Sequence, residues 1–496
     1  MNYCEWLFNT EAKYLDNEMI IDTESGRRLS YRNLQEEVLK VAAFLRDKGY
    51  QPGSVITAHL YNGAETVVVF LAAQYIGAVI CLVDPLFKAG ELPYYINDSR
   101  TQCLITYLKP EEIEVQPGST LDIIQVAEVE QVCSQPVTPE ITGQIMHHFQ
   151  KDDLALLLYT SGSTSTPKGV MLTTGCFNTF LEKSNTSMYR YSPEDRLLCY
   201  VPFSHGYGSV SLLIPALVGK AAIVFLRSFQ PLRVASTISA ENITHIFGVP
   251  THYQQLLRYE NIFPELRKLK AAFCAAAPLS YDTALSWYKN MGIYLDEGYG
   301  ITEATTLIAT RMSMLPEPSG NVGFPPKNIL TLEAVGEDGQ TCEDGIIGEL
   351  RLKGPGLMLG YLNRPAETAE KLRNGWLYTG DLGYRRSDGS FVISGRKTEF
   401  INVAGLKISP IEIEAVLNSH PGVVDSAAIG IEDSVYGEIV KAFVIAKDKA
   451  TVSERDLIKY VAGKLANFKV PKFIVFLDEF PRNNIGKIDK KALKNL

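Results

Sequence analysis

The sequence predicts an α/β protein closed by a smaller α+β domain, on three observations. Apolar strands alternate with helical patterns in two runs, one between Leu34 and Tyr107 and one between Leu154 and Cys274. From Leu330 to Leu352 the pattern shifts to short strands and turns. Beyond Arg396 a fresh helix start, Ser409-Pro410-Ile411-Glu412, opens the last stretch of the chain.

The elements follow in order. Leu34, Val38, Val41, Ala42 and Leu45 recur at helical spacing, and that helix stops near Lys48-Gly49. Val55–Leu60 reads as a strand, Ala64–Tyr75 as a helix, and Ala78–Val83 and Leu104–Tyr107 as strands, which implies a parallel sheet with helices on its faces. The run Val67–Val83 is apolar enough to suggest a membrane span, but Gln74, Tyr75 and Gly77 interrupt it and Asp84-Pro85 ends it. It reads instead as a buried helix passing through Gly77 into a buried strand. Leu154–Tyr159 has the length and composition of a buried strand. The alternation then resumes with a helix over Cys176–Lys183, strand Leu197–Val201, helix Val210–Leu217 and strand Ala222–Phe225. Helix Pro231–Glu241, strand His245–Val249, helix Tyr253–Arg258 and strand Ala271–Cys274 complete it. The turns Glu337-Asp338-Gly339 and Glu343-Asp344-Gly345 give the next region a β-barrel-like texture. Phe391-Val392-Ile393 is a short strand before a boundary near Arg396. Past it, Ser409 is the N-cap, Pro410 stands at the first helical position, and Glu412 is expected to close a capping box.

Composition bounds the function. The chain has 496 residues, 46% hydrophobic and 21% charged, as expected of a folded soluble protein of two or more domains. A net charge of −8, with no basic stripe, argues against nucleic acid as a main partner. The eight cysteines are scattered without a C-x-x-C pair, so reduced thiols in a cytoplasmic protein are expected rather than disulfides or a zinc site. The N-terminus lacks the apolar core of a secretory signal.

The most informative segment is Thr160-Ser161-Gly162-Ser163-Thr164-Ser165-Thr166-Pro167-Lys168-Gly169, set between two apolar runs. Hydroxyls and backbone N–H groups donate to phosphate oxygens, and Lys168 adds a point charge, so the loop suits polyphosphate better than an ordinary hydroxyl-rich turn. It is not the common nucleotide loop, because Pro167 stands where that pattern needs Gly.

The same loop resembles the signature of the acyl-adenylate-forming superfamily, which includes AMP-dependent acyl-CoA synthetases, peptide-synthetase adenylation domains and beetle luciferases. Ser165 replaces the usual second Gly. Further segments match in order: LSYRNLQEEVLKVAAFLRDKGYQPG, Val201-Pro202-Phe203-Ser204-His205-Gly206, Glu297-Gly298-Tyr299-Gly300-Ile301-Thr302-Glu303, Tyr378-Thr379-Gly380-Asp381-Leu382-Gly383, Gly395-Arg396-Lys397-Thr398-Glu399 and Pro481–Asp489. The resemblance spans the whole chain. It implies an N-terminal adenylation core over 1–395, made of two doubly wound βαβ subdomains and a distorted β-barrel. A hinge at 396–398 and a small mobile α+β domain over 399–496 would follow.

The resemblance also implies roles. A carboxylate attacking the α-phosphate of ATP faces anion repulsion, and one well-placed stabiliser is often worth on the order of 10²–10³ in rate. Lys487 would bridge the two anions; without the motif it is a surface lysine among Lys490, Lys491 and Lys494. Glu303, with Thr160, would hold Mg²⁺ on the phosphates, and Thr302 would donate to the α-phosphate. Tyr299 offers a ring to adenine, with Ala276, Glu297, Gly298 and Gly300 lining the nucleotide, and Asp381 accepts from the ribose hydroxyls. Arg396 would reach ribose or phosphate, or else make an interdomain salt bridge. His205 would stand beside the acyl carboxylate and the thiol channel, although a lone histidine is more often structural. In a second, rotated state, Gly405 and Lys407 would enter as Lys487 leaves, Gly405 lining the pantetheine tunnel and Lys407 facing the phosphates of CoA. Thr398 replaces the family's usual Asp or Lys hinge residue.

The acyl-pocket loop reads Phe203-Ser204, where peptide-synthetase domains usually place Asp for an α-amine. Gly206 and Gly208 are expected to leave space, and Cys274–Pro278 is small and apolar, so an uncharged fatty or aromatic acid is expected. With no phosphopantetheine-attachment motif after Lys487, a free-standing enzyme is expected. The leading reading is an acyl-CoA synthetase using ATP, Mg²⁺ and CoA. The alternatives are delivery to the phosphopantetheine of an acyl carrier protein, a non-catalytic nucleotide or acyl sensor, and a luciferase-like oxygenase.

Overall fold

The computed structural model describes residues 3–114, 121–138, 141, 146–160, 166–317, 320–404, 406–448, 452–482 and 487–496. The first alternating run and its continuation build a sheet in the order Gly360–Tyr361, Lys168–Thr173, Leu154–Thr160, Val79–Leu82, Val55–His59, Cys103–Thr106, Asp122–Gln125. Neighbours are parallel from Leu154–Thr160 onward, whereas Lys168–Thr173 returns antiparallel, so the hydroxyl-rich segment joins two paired strands. The apolar run of the first half is indeed a helix, Ala64–Ile76, buried along its full length. Gly77 ends it at φ +83° and leads into the strand Val79–Leu82. Gln74, the polar interruption, donates to the Ala155 carbonyl at 2.7 Å, which satisfies its amide N–H inside the core. Among the described residues no helix is long and apolar enough to cross a membrane.

The second sheet runs Ala309–Arg311, Leu295–Tyr299, Ala271–Ala275, His245–Gly248, Arg196–Cys199, Ala222–Phe225, Glu18–Asp22, Arg28–Ser30, with only its two outer pairings antiparallel. The carboxyl ends of its parallel strands therefore share one edge, where open α/β sheets hold ligands. The helix expected over Val210–Leu217 starts later, at Leu213–Gly219, and a separate short helix, Gly206–Ser209, precedes the expected span. Pro215 lacks an N–H, so it fits the first turn of a new helix and not the middle of an old one.

The barrel-like region is an antiparallel sheet ordered Asn321–Gly323, Phe391–Arg396, Trp376–Arg385, Gly348–Lys353, Thr331–Val335, with Leu372–Arg373 beside Trp376–Arg385. A fourth sheet belongs to the small C-terminal domain: Leu406–Ile408, Ile401–Val403, Gly437–Ala446 and Val423–Asp433, with Phe473–Phe476 parallel to Gly437–Ala446. That domain has a core of its own, including Ile401, Ile413, Val440 and Ile474. Its first helix, Pro410–Asn418, is capped by Ser409, which accepts from Glu412 N. The capping box does not close. Both oxygens of Glu412 lie 2.7 Å from Lys469 Nζ, and this charge-assisted pair takes the carboxylate away from the Ser409 N–H.

Candidate active site

The site is assembled at the edge shared by the second and third sheets. The strand Leu295–Tyr299 ends in Gly300, whose bare α-carbon is required: a Cβ there would lie 1.0 Å from the Thr306 carbonyl oxygen. Gly298 is constrained likewise, since its Cβ would meet the Phe273 ring at 2.5 Å. A 3₁₀ turn, Thr302–Ala304, follows, and then Thr305 and Thr306 at φ +51° and +65°. Two successive left-handed threonines are uncommon, and several bonds hold the turn in place. Thr305 Oγ1 donates to the Gly356 carbonyl at 2.7 Å, Met358 N donates to the Glu303 carbonyl at 2.8 Å, and Lys183 Nζ donates to the Ala304 carbonyl at 2.9 Å.

Glu303 points from this turn to Tyr361, whose hydroxyl donates to Oε1 at 2.6 Å. Lys168 stands at the start of the strand that returns from the hydroxyl-rich segment, opposite Thr160. Its ammonium pairs with Glu367 and lies 5.3 Å from the centre of the Tyr361 ring. Lys168, Tyr361 and Glu303 are thus neighbours. Ser161, Gly162, Ser163, Thr164 and Ser165 lie outside the described residues.

On the other side, Asp381 and Arg396 face each other across two paired strands, and Arg396 Nε lies 2.7 Å from Asp381 Oδ1. Tyr299 donates its hydroxyl to Asp381 Oδ2. Burial lifts the Asp381 carboxyl above its ordinary range, against the pull of Arg396 and Tyr299. Arg396 is therefore engaged within the third sheet, and any ribose hydroxyl at Asp381 shares oxygens already in use.

Lys487, from the small domain, comes to this same place. Burial and the Arg396 guanidinium lower its ammonium to about 8, against the opposing pull of Asp381, Glu399 and Glu303. His205 is also within its field: burial and then Lys487 push the imidazole down to about 4, so the ring is neutral near pH 7. Its Nδ1 accepts from Tyr207 N at 3.1 Å, which leaves the ring proton on Nε2. Gly405 lies outside the described residues, as does the side chain of Lys407, whose backbone is in the strand Leu406–Ile408.

Ala276 follows the strand Ala271–Ala275 at φ +74°, a conformation that favours glycine. Glu297 is buried and its carboxyl is pushed up to about 8 by burial, against Arg311 and the Leu279 N–H. The space expected at Gly206 and Gly208 is not empty. A Cβ on Gly206 would meet Thr306 Cγ2 at 2.7 Å, and one on Gly208 would meet the Pro202 carbonyl oxygen at 2.8 Å. These glycines permit close backbone packing and do not widen a pocket.

Four neighbours of the site escaped the sequence reading: Lys183, Tyr361, Glu367 and Lys371. Glu367 and Lys371 stand four apart on the helix Pro365–Lys371, a spacing that reads as an ordinary solvated pair.

The family model described as AMP-binding enzyme matches residues 7–362, and that of the AMP-binding enzyme C-terminal domain matches residues 412–487. The chain belongs to the AMP-binding enzyme family. Within the acyl-adenylate-forming superfamily it is an enzyme of the acid–thiol ligase type. A long-chain-fatty-acid–CoA ligase of Bacillus subtilis (strain 168) is 30% identical over 98% of this chain and 93% of its own length. A feruloyl-CoA synthase of Amycolatopsis sp. is 31% identical over 95% and 94%. Among solved structures, ATP-bound MatB from Rhodopseudomonas palustris superposes with a TM-score of 0.90 at 28% identity, covering 100% of this chain and 99% of that one. The apo form of the same protein gives 0.81.

Proposed function

We propose that this acyl-CoA ligase activates an uncharged fatty or aromatic carboxylic acid as acyl-AMP with MgATP and passes the acyl group to CoA. The observation that carries the reading is the convergence of Lys487 with Glu303, Asp381 and Arg396 beside the neutral ring of His205. In it, Lys487 neutralises the substrate carboxylate and the α-phosphate together, which lowers the barrier set by their repulsion. Thr302 donates to a phosphate oxygen, and Asp381 orients the ribose with Tyr299 packed beside it. Loop groups 160–164 and Lys168 take the β- and γ-phosphates, for which Lys168 has to leave Glu367.

Magnesium fits this donor set. Glu303 has one carboxylate oxygen on Tyr361 and presents the other, and Thr160 stands at the mouth of the loop. When bound, the ion neutralises phosphate charge and activates pyrophosphate as a leaving group.

The second half-reaction follows a rotation about residues 396–398, where Thr398 is exposed. Lys487 withdraws, and Gly405 and Lys407 come in along the pantetheine path. The greater likeness to ATP-bound than to apo MatB supports reading the present arrangement as the adenylating one. For the acyl tail, Phe203 and Ser204 supply no anion for an amine. The relatives' names include both fatty and aromatic acids, and they name CoA ligases, which favours CoA over a carrier protein. Acid-dependent pyrophosphate exchange across fatty, aryl and amino acids tests the substrate class, and product formation with CoA or a carrier protein tests the acceptor. Exchange confined to amino acids would contradict the reading.

A further inference from the structure

The nucleotide site holds a cation that none of the sequence motifs contains. Lys371 closes the helix Pro365–Lys371 and reaches back over the segment that carries Asp381. Its Nζ donates to the Thr379 carbonyl at 3.2 Å, and a Cβ on Gly380 would lie 2.9 Å from the same nitrogen. Gly380, at φ +79°, leaves the room that the ammonium occupies.

The other cations of the site already have acidic or phosphate-directed commitments. Lys168 is paired with Glu367, Arg396 is paired with Asp381, and Lys487 belongs to the small domain. Lys371 differs from them. Among the described residues it makes that one bond to a neutral carbonyl and no ion pair. It nonetheless sits in the field of Glu303, Glu349 and Asp381, against the Arg396 guanidinium, and Glu303 and Asp381 are the carboxylates assigned above to the metal and ribose ends of the nucleotide. Each of these is engaged elsewhere, Glu303 by Tyr361 and Asp381 by Tyr299 and Arg396. A half-buried ammonium with two N–H groups to spare, between ribose and metal positions, has the chemistry of a phosphate donor.

Building on the nucleotide reading above, we propose that Lys371 binds the α-phosphate of the nucleotide from the large domain and keeps hold of it through both half-reactions. It is the counterpart of Lys487 that does not leave. The phosphate of the acyl-adenylate then stays neutralised when the small domain rotates.

Titration calorimetry on the full chain tests this with two probes, AMP and adenosine, which differ only in the phosphate. Lys371→Met should weaken AMP about tenfold or more and leave adenosine within about twofold, the loss of one charge-assisted bond. Lys371→Arg should restore most of the AMP affinity. Wild-type AMP affinity in Lys371→Met would overturn the proposal. So would equal loss of AMP and adenosine that Lys371→Arg does not rescue, because that marks a structural role. The functional reading fails separately, if the wild-type protein shows no acid-dependent pyrophosphate exchange.

Discussion

The ammonium of Lys183, with no exposure to solvent, donates to the carbonyl of Ala304 at 2.9 Å and so ties the helix Thr174–Ser187 to the turn that presents Glu303. Burial lowers this lysine to about 8, well under its ordinary value. The sign follows from linkage. Between about pH 8 and the pKa of the unfolded lysine, the unfolded chain binds the extra proton, so stability from this group rises with pH across that window and is least below it.

A lysine kept at such a cost is a brace for the turn. Lys183→Met removes the buried charge and the hydrogen bond together. Thermal stability at pH 7 should hold or rise, while kcat/KM for adenylation should fall about tenfold as the Glu303 turn loosens. Differential scanning fluorimetry and pyrophosphate exchange read the two effects. Unchanged kcat/KM would show that the turn does not depend on the brace.

Backbone geometry gives two substitutions of opposite sign. Ala276 at φ +74° bears a steric cost of about 1–2 kcal/mol that glycine lacks, against the roughly 0.5–1 kcal/mol usually lost on replacing Ala by Gly. Ala276→Gly should therefore leave the melting temperature unchanged or slightly higher. Gly300→Ala should be severe, because its Cβ would fall 1.0 Å from the Thr306 carbonyl oxygen. Adenylation should be lost and the protein destabilised. A well-folded, active Gly300→Ala enzyme would disprove the packing described for the Thr302–Thr306 turn.

In the proposed reaction Lys487 must be charged to neutralise two anions, and burial and Arg396 lower its ammonium to about 8. The kcat/KM for adenylation should therefore decline above pH 8, approaching about tenfold per pH unit. Lys487→Arg, whose side chain stays protonated, should carry a flat profile through that region at a reduced maximum. Stopped-flow pyrophosphate release from pH 6 to 10 measures both.

Much of this molecule is legible in one sequence, for a physical reason. Residues whose surroundings are local announce themselves: the alternating strands and helices, and the apolar run through Gly77 that became a helix and a strand. The residues brought together around Asp381, Arg396, Glu303 and Lys487 were legible only through a family resemblance, since they lie far apart along the chain. What stayed hidden depends on partners distant in sequence. Glu412 reads as a capping-box residue until Lys469 is beside it, and Gly206 reads as pocket space until Thr306 fills it. Lys371 reads as a solvated helix residue until the fold lays it across Gly380.

In the proposed cycle Lys487 serves the first half-reaction and leaves before the second. The most direct test measures the two halves separately in Lys487→Ala. Carboxylate-dependent pyrophosphate release should fall by about 10²–10³, while conversion of supplied acyl-AMP to thioester stays within about twofold of wild type. Equal loss of both halves would mean that Lys487 does not leave before the second.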